Sequence, residues 1–549
     1  MIRSRLRTLV EELPMVCRRA LSLVAMISLG CHASPGDELR GVVSSATPEA
    51  TAAGVAMLEA GGNAIDAAVA VSLTLGVTEP AGSGIAGQTV MLVKRRGEPA
   101  FVIHGTTWSP GSIPDGVTEV QLSRGRTAST VPSTLRVLDV AHRRFGSGNV
   151  DWQHLVQPAI DAAEQGFIVG PFRHRAFRNF GSALREQEEA ASIFVRPDGA
   201  DYQAGDRLRQ PLLAATLRRI AKHGAMDFYS GDIAREITAD MAAKGGWITF
   251  EDLAGFPEPG IVLAIEGSYR GYTVETLPPP FGGWVVLQIL NVLELNAPQV
   301  LDDDDSARRL ALLDALRIGH GQRRADPVTD YGDYAQDIAT RTSKQEARRL
   351  SQDSAGGETT HFSVVDANGL TVAVTQSIDS YFGAKVVHPT LGFLYNNYMQ
   401  GFQVDDPDAP YYLAQSEMPL SSMSATIVSQ DGRTELVLGS PGSARIISSV
   451  AQVTSYWIDV EQDVEAAVGA YRVHVVPETA GYVEGPELPP VLLQGMAARG
   501  LTLTRPTYGV SDSHLDPYFG GVHALAFENG AWRGAADPRR DGVVGIARK

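Results

Sequence analysis

The sequence predicts an α+β protein in which stacked antiparallel sheets are flanked by helices. Three observations point to it. Residues 47–77 carry the punctuation of two consecutive helices. From Thr359 onward the pattern switches to a two-residue period broken by hairpin turns. Gly439-Ser440-Pro441-Gly442-Ser443-Ala444-Arg445 then leads from a strand back into a helix. This order, with no short repeat, fits layered antiparallel sheets better than a parallel doubly wound sheet.

The elements follow in chain order. Thr47 caps a helix with Pro48 at its first position, Gly61-Gly62 ends it, and Asn63 caps a second, apolar helix from Ala64. The glycine-rich loop Glu79–Gly87 precedes a strand, Thr89–Val93. It lacks the lysine and the strand-loop-helix order of a phosphate cradle. Helices are expected over Trp152–Glu164, Pro211–Lys222, Trp284–Leu295 and Ser306–Arg324, with the Pro278-Pro279-Pro280 loop before the third. Residues 333–358 are polar and read as an exposed linker. Thr359–Asp366 and Leu370–Ser377 form a hairpin about Ala367-Asn368-Gly369, with paired positions summing to 736 or 737, so Thr359 lies opposite or one step from Ser377. Strands Ala425–Ser429, Thr434–Leu438 and Ala524–Phe527 follow, and a helix spans Ile446–Ile458.

The 549 residues are 44% hydrophobic and 20% charged, enough for a large buried core. Arg18-Arg19, the apolar run Ala20–Gly30 and the small residues after it read as an export signal over residues 1–30, starting at Met1 or, more compactly, at Met15. Cys31 is then either the lipid-bearing residue of a lipoprotein or incidental to cleavage nearby. The expected location is the periplasm, an outer-membrane lipid anchor or the medium. Beyond the N-terminus no run approaches the length of a membrane span. Cys17 and Cys31 are the only cysteines, so the mature chain has no intrachain disulfide and no cysteine metal site. The net charge is −16; losing residues 1–30 removes five Arg and two Glu and leaves −19. Such a surface argues against nucleic-acid binding, and neither a metal nor a cofactor is expected. The acidic run Asp302–Asp305 reads as a loop or helix start.

The chemistry centres on Gly356-Gly357-Glu358-Thr359-Thr360-His361. Cleavage before Thr359 gives one residue both a hydroxyl and a free α-amine, and the amine can act as the base that activates the hydroxyl. The amides of the Gly439–Arg445 loop, at a helix start, suit an anion or oxyanion. His361 reads as a core histidine, since the amine already supplies a base. His320, His388 and His474 receive no role, and Tyr381 and Lys385 only weak ones.

Together these segments resemble the γ-glutamyltranspeptidase family of N-terminal-nucleophile hydrolases. The resemblance runs from about Pro48 to Gly542. It includes Gly61–Ala70, Thr78-Glu79-Pro80, Gly246–Leu253, Ser268–Tyr272, Thr359-Thr360-His361, Pro419–Ser424 and Gly534–Arg540. It implies a four-layer αββα sandwich made as a self-cleaving precursor. Residues 31–358 become a large chain and 359–549 a small catalytic chain, associated as one integrated domain. The cut falls between Glu358 and Thr359. Thr359 is the implied nucleophile, Ser377 stands for a threonine beside its amine, Gly442 and Ser443 supply the oxyanion amides, and Ser421 and Ser422 bind a substrate carboxylate.

Recognition residues depart from the family. Counting back from Pro110 puts Thr106 where the arginine that grips the glutamyl α-carboxylate belongs. Asp379 replaces an asparagine, and Tyr398 and Gly401 replace the glutamine and aspartate that bind the substrate amine. Threonine cannot supply a bidentate arginine–carboxylate contact. Asp379 is left to meet a cationic group and Tyr398 to stack on an apolar one. The expected activity is that of a threonine amidohydrolase or acyltransferase acting on γ-glutamyl or related acyl amides, small molecules or peptides. The alternatives are a non-glutathione acylase (β-lactam side chain or γ-linked peptide) and a binding pseudoenzyme that keeps the fold.

Overall fold

Among the described residues thirteen strands make two large sheets: β1 (Leu39–Ser45), β2 (Gln88–Lys94), β3 (Phe101–His104), β4 (Gly260–Leu263), β5 (Ile265–Tyr269), β6 (Tyr272–Thr276), β7 (Thr360–Asp366), β8 (Thr371–Ser377), β9 (Thr426–Gln430), β10 (Arg433–Gly439), β11 (His523–Glu528), β12 (Ala531–Ala536) and β13 (Val543–Arg548). The computed structural model describes residues 38–302, 305–349, 360–476, 479–486, 488–506 and 514–549. The expected export signal, Cys31, Asp303-Asp304 and the Glu358–Thr359 junction lie outside the described residues. One sheet runs β13-β1-β7-β8-β2-β3-β4 and the other β12-β11-β10-β9-β6-β5. From β1 to β4 the first sheet pairs antiparallel, as does all of the second. Arg40–Ala547 is one compact unit.

The two-residue period of β7 has a plain cause: both of its faces are buried, and they meet different layers. Phe362 and Val364 join the apolar core beneath the helices. His361 and Ser363 face the second sheet, where the Ser363 hydroxyl donates to the carbonyl of His523 at 3.1 Å. The His361 ring lies so close to Gly439 of β10 that a Cβ there would stand 2.3 Å from it. The layer between the sheets is therefore partly polar but paired. Lys94 on β2 reaches Glu275 on β6 at 2.6 Å, and Glu275 also accepts the amide of Ala100 at 2.8 Å.

The outer layers are helical. Pro48–Glu59 starts at Thr47, whose side chain accepts from the Ala50 amide, and Asn63 closes a capping box on Ala64–Thr78. Every residue of Ala64–Thr78 is buried. That helix and Thr134–Phe145 lie on the first sheet, while Gly283–Leu293 and Arg445–Asp459 lie on the second. The result is the αββα order. Two large apolar clusters lie one on the outer face of each sheet.

The hairpin register settles on the sum of 736, with Gln376 opposite Thr360 and Thr371 opposite Val365. One expectation is corrected. Residues 335–349 are not an exposed linker but two short helices, Ala335–Arg341 and Lys344–Arg349. They pack on Gly283–Leu293: Gln288 and Asn291 donate to the carbonyls of Arg341 and Thr342, and Ile338 is buried. A polar sequence concealed this because carbonyls at helix ends are satisfied by side chains from elsewhere.

Candidate active site

The antiparallel registers bring several chain ends to one end of the sandwich. The start of β7 (Thr360), the end of β8 (Ser377) and the start of β2 (Gln88) are neighbours, with Ser377 opposite Gln88. In the second sheet the end of β10, the start of β9 and the end of β6 meet there too, because Thr426 pairs with both Leu438 and Thr276. Loops leaving these ends carry the predicted site residues.

Thr360 faces the helical layer. Its hydroxyl donates to Glu79 Oε2 at 2.6 Å. Glu79 closes the helix Ala64–Thr78, is buried, and has Arg540 at 3.5 Å from its other oxygen. Burial raises its pKa, with Arg540 and the Thr360 hydroxyl opposing. Arg540 lies over the ring of Phe172 at 4.3 Å. Its neighbour Arg539 is locked between Glu484 and Asp537, so the motif Gly534–Arg540 anchors the floor of the site.

Ser377 ends β8, and its oxygen accepts from the Asp379 amide at 2.7 Å. That turn puts Asp379 in the left-handed region at φ 74°, with its carboxylate held by Gln400. Tyr398 does not stand open for stacking as expected, because the residue is only 4% exposed. Burial pushes its phenol well above the ordinary range, and the Asp379 carboxylate adds to the shift while the Ser377 hydroxyl opposes it. Asn396 pins this segment, accepting from the Thr130 amide and donating to the carbonyls of Ala86 and Thr130.

Gln88, which carried no sequence signal, connects the recognition residues. Its Oε1 accepts from the Thr106 hydroxyl at 3.3 Å and the Thr107 amide at 3.0 Å, while its Nε2 donates to Ser421 Oγ at 3.2 Å. Ser422 Oγ accepts from Arg323, whose other terminal nitrogen donates to the Ser421 carbonyl, both at 2.8 Å. The predicted pair Ser421–Ser422 is thus held between Gln88 and Arg323. Beside Thr106 lies a cleft of about 300 Å³, lined among others by His104, Trp108, Phe256, Tyr331 and Met418.

The loop after β10 has the geometry expected of anion donors. Gly442 has φ 126° and Ser443 has φ 61°. Their carbonyls are used, accepting from the amides of Arg445 and Ile446. Neither of their own N–H groups donates to a described residue, although Ser443 is only 8% exposed. Two adjacent buried amides left without acceptors call for a ligand oxygen. His361 is the core histidine expected: Nδ1 contacts Thr375 Oγ1 at 2.9 Å, Nε2 contacts Ser363 Oγ at 3.1 Å, and burial holds its pKa well down. Among the described residues no group of three or more His, Cys, Asp and Glu is arranged to hold a metal ion.

Residues 50–547 match the family model for gamma-glutamyltranspeptidase. The Acylase ACY 1 proenzyme of Pseudomonas sp. (strain SE83) is 34% identical over 93% of this chain and 94% of its own. The glutathione hydrolase proenzyme of Escherichia coli (strain K12) is 32% identical over 79% of this chain and 81% of its own. The crystal structure of a cephalosporin acylase from Bacillus halodurans has the same fold, with a TM-score of 0.77, 24% identity, and coverage of 94% of this chain and 99% of that one. The chain therefore belongs to the γ-glutamyltranspeptidase family, as a self-processing N-terminal-nucleophile hydrolase or acyltransferase of the α+β, four-layer kind.

Proposed function

We propose that this enzyme is an acylase that does not require a free α-amino acid end on its substrate. The observation that carries the reading is Thr106. A short neutral side chain hydrogen-bonded to Gln88 stands where the glutamyl-gripping arginine belongs, and it borders a cleft rich in aromatic and apolar side chains. The chain's likeness to a relative named as an acylase supports the same choice.

Thr359 is the proposed nucleophile. It directly precedes Thr360, where β7 begins. On β7 itself His361 meets Gly439, and the Gly442–Ser443 loop follows Gly439. Ser377 follows Gln376, the β8 partner of Thr360. In maturation the Thr359 hydroxyl attacks the Glu358 carbonyl, the amide becomes an ester, and water releases Glu358 as a carboxylate. In turnover the freed amine takes the hydroxyl proton while the oxygen attacks the substrate carbonyl. The Gly442 and Ser443 amides hold the oxyanion, and the proton passes to the departing amine. Water or an acceptor amine then resolves the acyl-enzyme. One missing oxyanion donor costs roughly 2.7–4 kcal/mol of barrier. Export through residues 1–30 and a lipid on Cys31 are part of the same proposal.

Matched anilides test the reading. Hydrolysis of simple acyl anilides in preference to the γ-glutamyl anilide is expected. Efficient release of glutamate from the γ-glutamyl anilide contradicts it.

A further inference from the structure

The cleft beside Thr106 has anchored walls. β3 pairs with β4, His104 standing opposite Gly260. The His104 ring lies 5.0 Å from that of Phe281, and its Nε2 donates to the Pro279 carbonyl at 3.1 Å. Phe256 is buried and stacks on Tyr229, with ring centroids 5.8 Å apart, and the Tyr229 hydroxyl donates to the Pro132 carbonyl at 3.0 Å. Paired backbone bonds to Val131 fix Trp108. Beside it the Ser109 amide donates to the Glu417 carbonyl at 2.8 Å and the Ser109 hydroxyl oxygen accepts from the Glu417 amide at 2.9 Å, which ties the chain before Met418 to Trp108. Tyr331 and Tyr334 complete the lining, both half-buried.

Charge and shape together select what this cleft takes. Of its lining residues only Glu258 is ionised, and Arg143 and Arg144, neither of which lines the cleft, both pair with it. His104 is neutral, because burial lowers its pKa below the ordinary 6.5. Thr106 carries no charge and is hydrogen-bonded to Gln88. A carboxylate placed here would lose its water and find no free cation, so the cleft favours a neutral group. Its volume is about 300 Å³. An apolar cavity of roughly 150 Å³ admits a benzene molecule, which leaves room here for a single ring on a short tether. The rings of Trp108, Phe256, Tyr331 and Tyr334 and the sulfur of Met418 offer the edge and face contacts that another ring matches and an aliphatic chain does not.

We propose that this cleft is the acyl pocket and that the substrates are amides of neutral acids bearing one aromatic ring. This rests on the acylase reading and names its substrate class. Counting the scissile carbonyl as the first carbon, a γ-glutamyl group carries its α-carboxylate on the fourth, and that carboxylate is what an arginine at position 106 would grip. With Thr106 there, a ring on the same carbon enters the cleft instead. The amide stays at the reacting end, to which Thr106 is tied through Gln88, the strand partner of Ser377. Amides of 4-arylbutanoic acids are therefore the expected fit, and Trp108, Phe256 and Tyr334 are specificity-determining residues.

The test uses the mature two-chain enzyme and anilides matched at that fourth carbon: 4-phenylbutanoyl with a ring, glutaryl with a carboxylate and butanoyl with neither. The wild type is expected to favour the 4-phenylbutanoyl anilide over each of the others in kcat/KM by about tenfold or more. Gly260→Phe fills the cleft from β4. A Cβ at Gly260 would meet only Val262, at 3.9 Å, so the fold has room for the new side chain. That variant is expected to bring the ratio of 4-phenylbutanoyl to butanoyl toward one. Competition by 4-phenylbutyrate against butyrate, read as Ki on the wild type, makes the same comparison with no substitution and decides the matter if the variant fails to cleave into two chains. The assignment is overturned if the glutaryl or butanoyl anilide matches the phenyl-bearing one, if the two acids inhibit equally, or if a correctly cleaved Gly260→Phe enzyme keeps the wild-type ratio. Turnover of none of these anilides, with rapid turnover of the γ-glutamyl one, overturns the acylase reading itself.

Discussion

The Thr360 hydroxyl donates to the buried carboxylate of Glu79 at 2.6 Å, joining the first residue of β7 to the end of a helix 281 positions earlier in the chain. Arg540 completes the contact from the C-terminal motif. Three distant segments thus fix the orientation of the residue bonded to the proposed nucleophile. Thr360→Val removes the donor and leaves a buried carboxylate short of one partner, at about 1–3 kcal/mol. Chemical denaturation is expected to show that loss, and a time course on denaturing gels to show slower self-cleavage. Unchanged processing would confine Glu79 to a structural role.

Gln88 invites a second substitution. Gln88→Leu strands the Thr107 amide and frees Ser421 from the Thr106 loop. The expected result is normal cleavage into two chains, with KM for acyl anilides raised about tenfold, equivalent to about 1.4 kcal/mol. Steady-state kinetics on the processed enzyme decides it.

Ser443 sits at φ 61°, a conformation that costs an L-residue about 1–2 kcal/mol and glycine almost nothing. Ser443→Gly keeps the backbone N–H. It is expected to raise stability by about 1 kcal/mol, less the extra chain entropy of glycine, and to leave kcat within about twofold. A large fall in kcat would show that the serine hydroxyl itself acts in the reaction.

Acid should unfold this protein through its buried histidines. Burial holds His320 and His523 at about 3 against the ordinary 6.5, and His361 and His474 are also held well down. Such groups are neutral in the fold, while the unfolded chain protonates below 6.5. Their stabilisation is therefore complete above 6.5 and lost as pH falls toward 3. The loss is on the order of 2 kcal/mol per histidine at pH 5. Urea titrations at pH 7 and pH 5 should show it, and His523→Asn should flatten the slope.

The sequence disclosed whatever was local. Thr47-Pro48 and Asn63 cap their helices as expected, and the Asn368-Gly369 turn sets a register that spacing alone placed within one residue. The glycine-rich turn Gly439–Arg445 before a helix suggests an anion site, while the positive φ of both Gly442 and Ser443 is visible only in the fold. What stayed hidden was non-local. Gln88 lies 333 positions from Ser421, and Arg323 lies 99 from Ser422. Neither sits in a motif that states its partner. The helices within 335–349 were missed for the same reason, since their packing comes from Gln288 and Asn291 rather than from an apolar stripe of their own. Tyr398 shows the opposite failure: its residue type suggested an open stacking surface, and only the fold shows that it is enclosed.

Intact mass measurement of the purified wild type beside Thr359→Ala tests the central claim most directly. The account predicts two polypeptides from the wild type, the smaller spanning Thr359–Lys549, and one uncut polypeptide from the variant. An uncut wild-type chain, or a variant that still separates into the same two pieces, would contradict it.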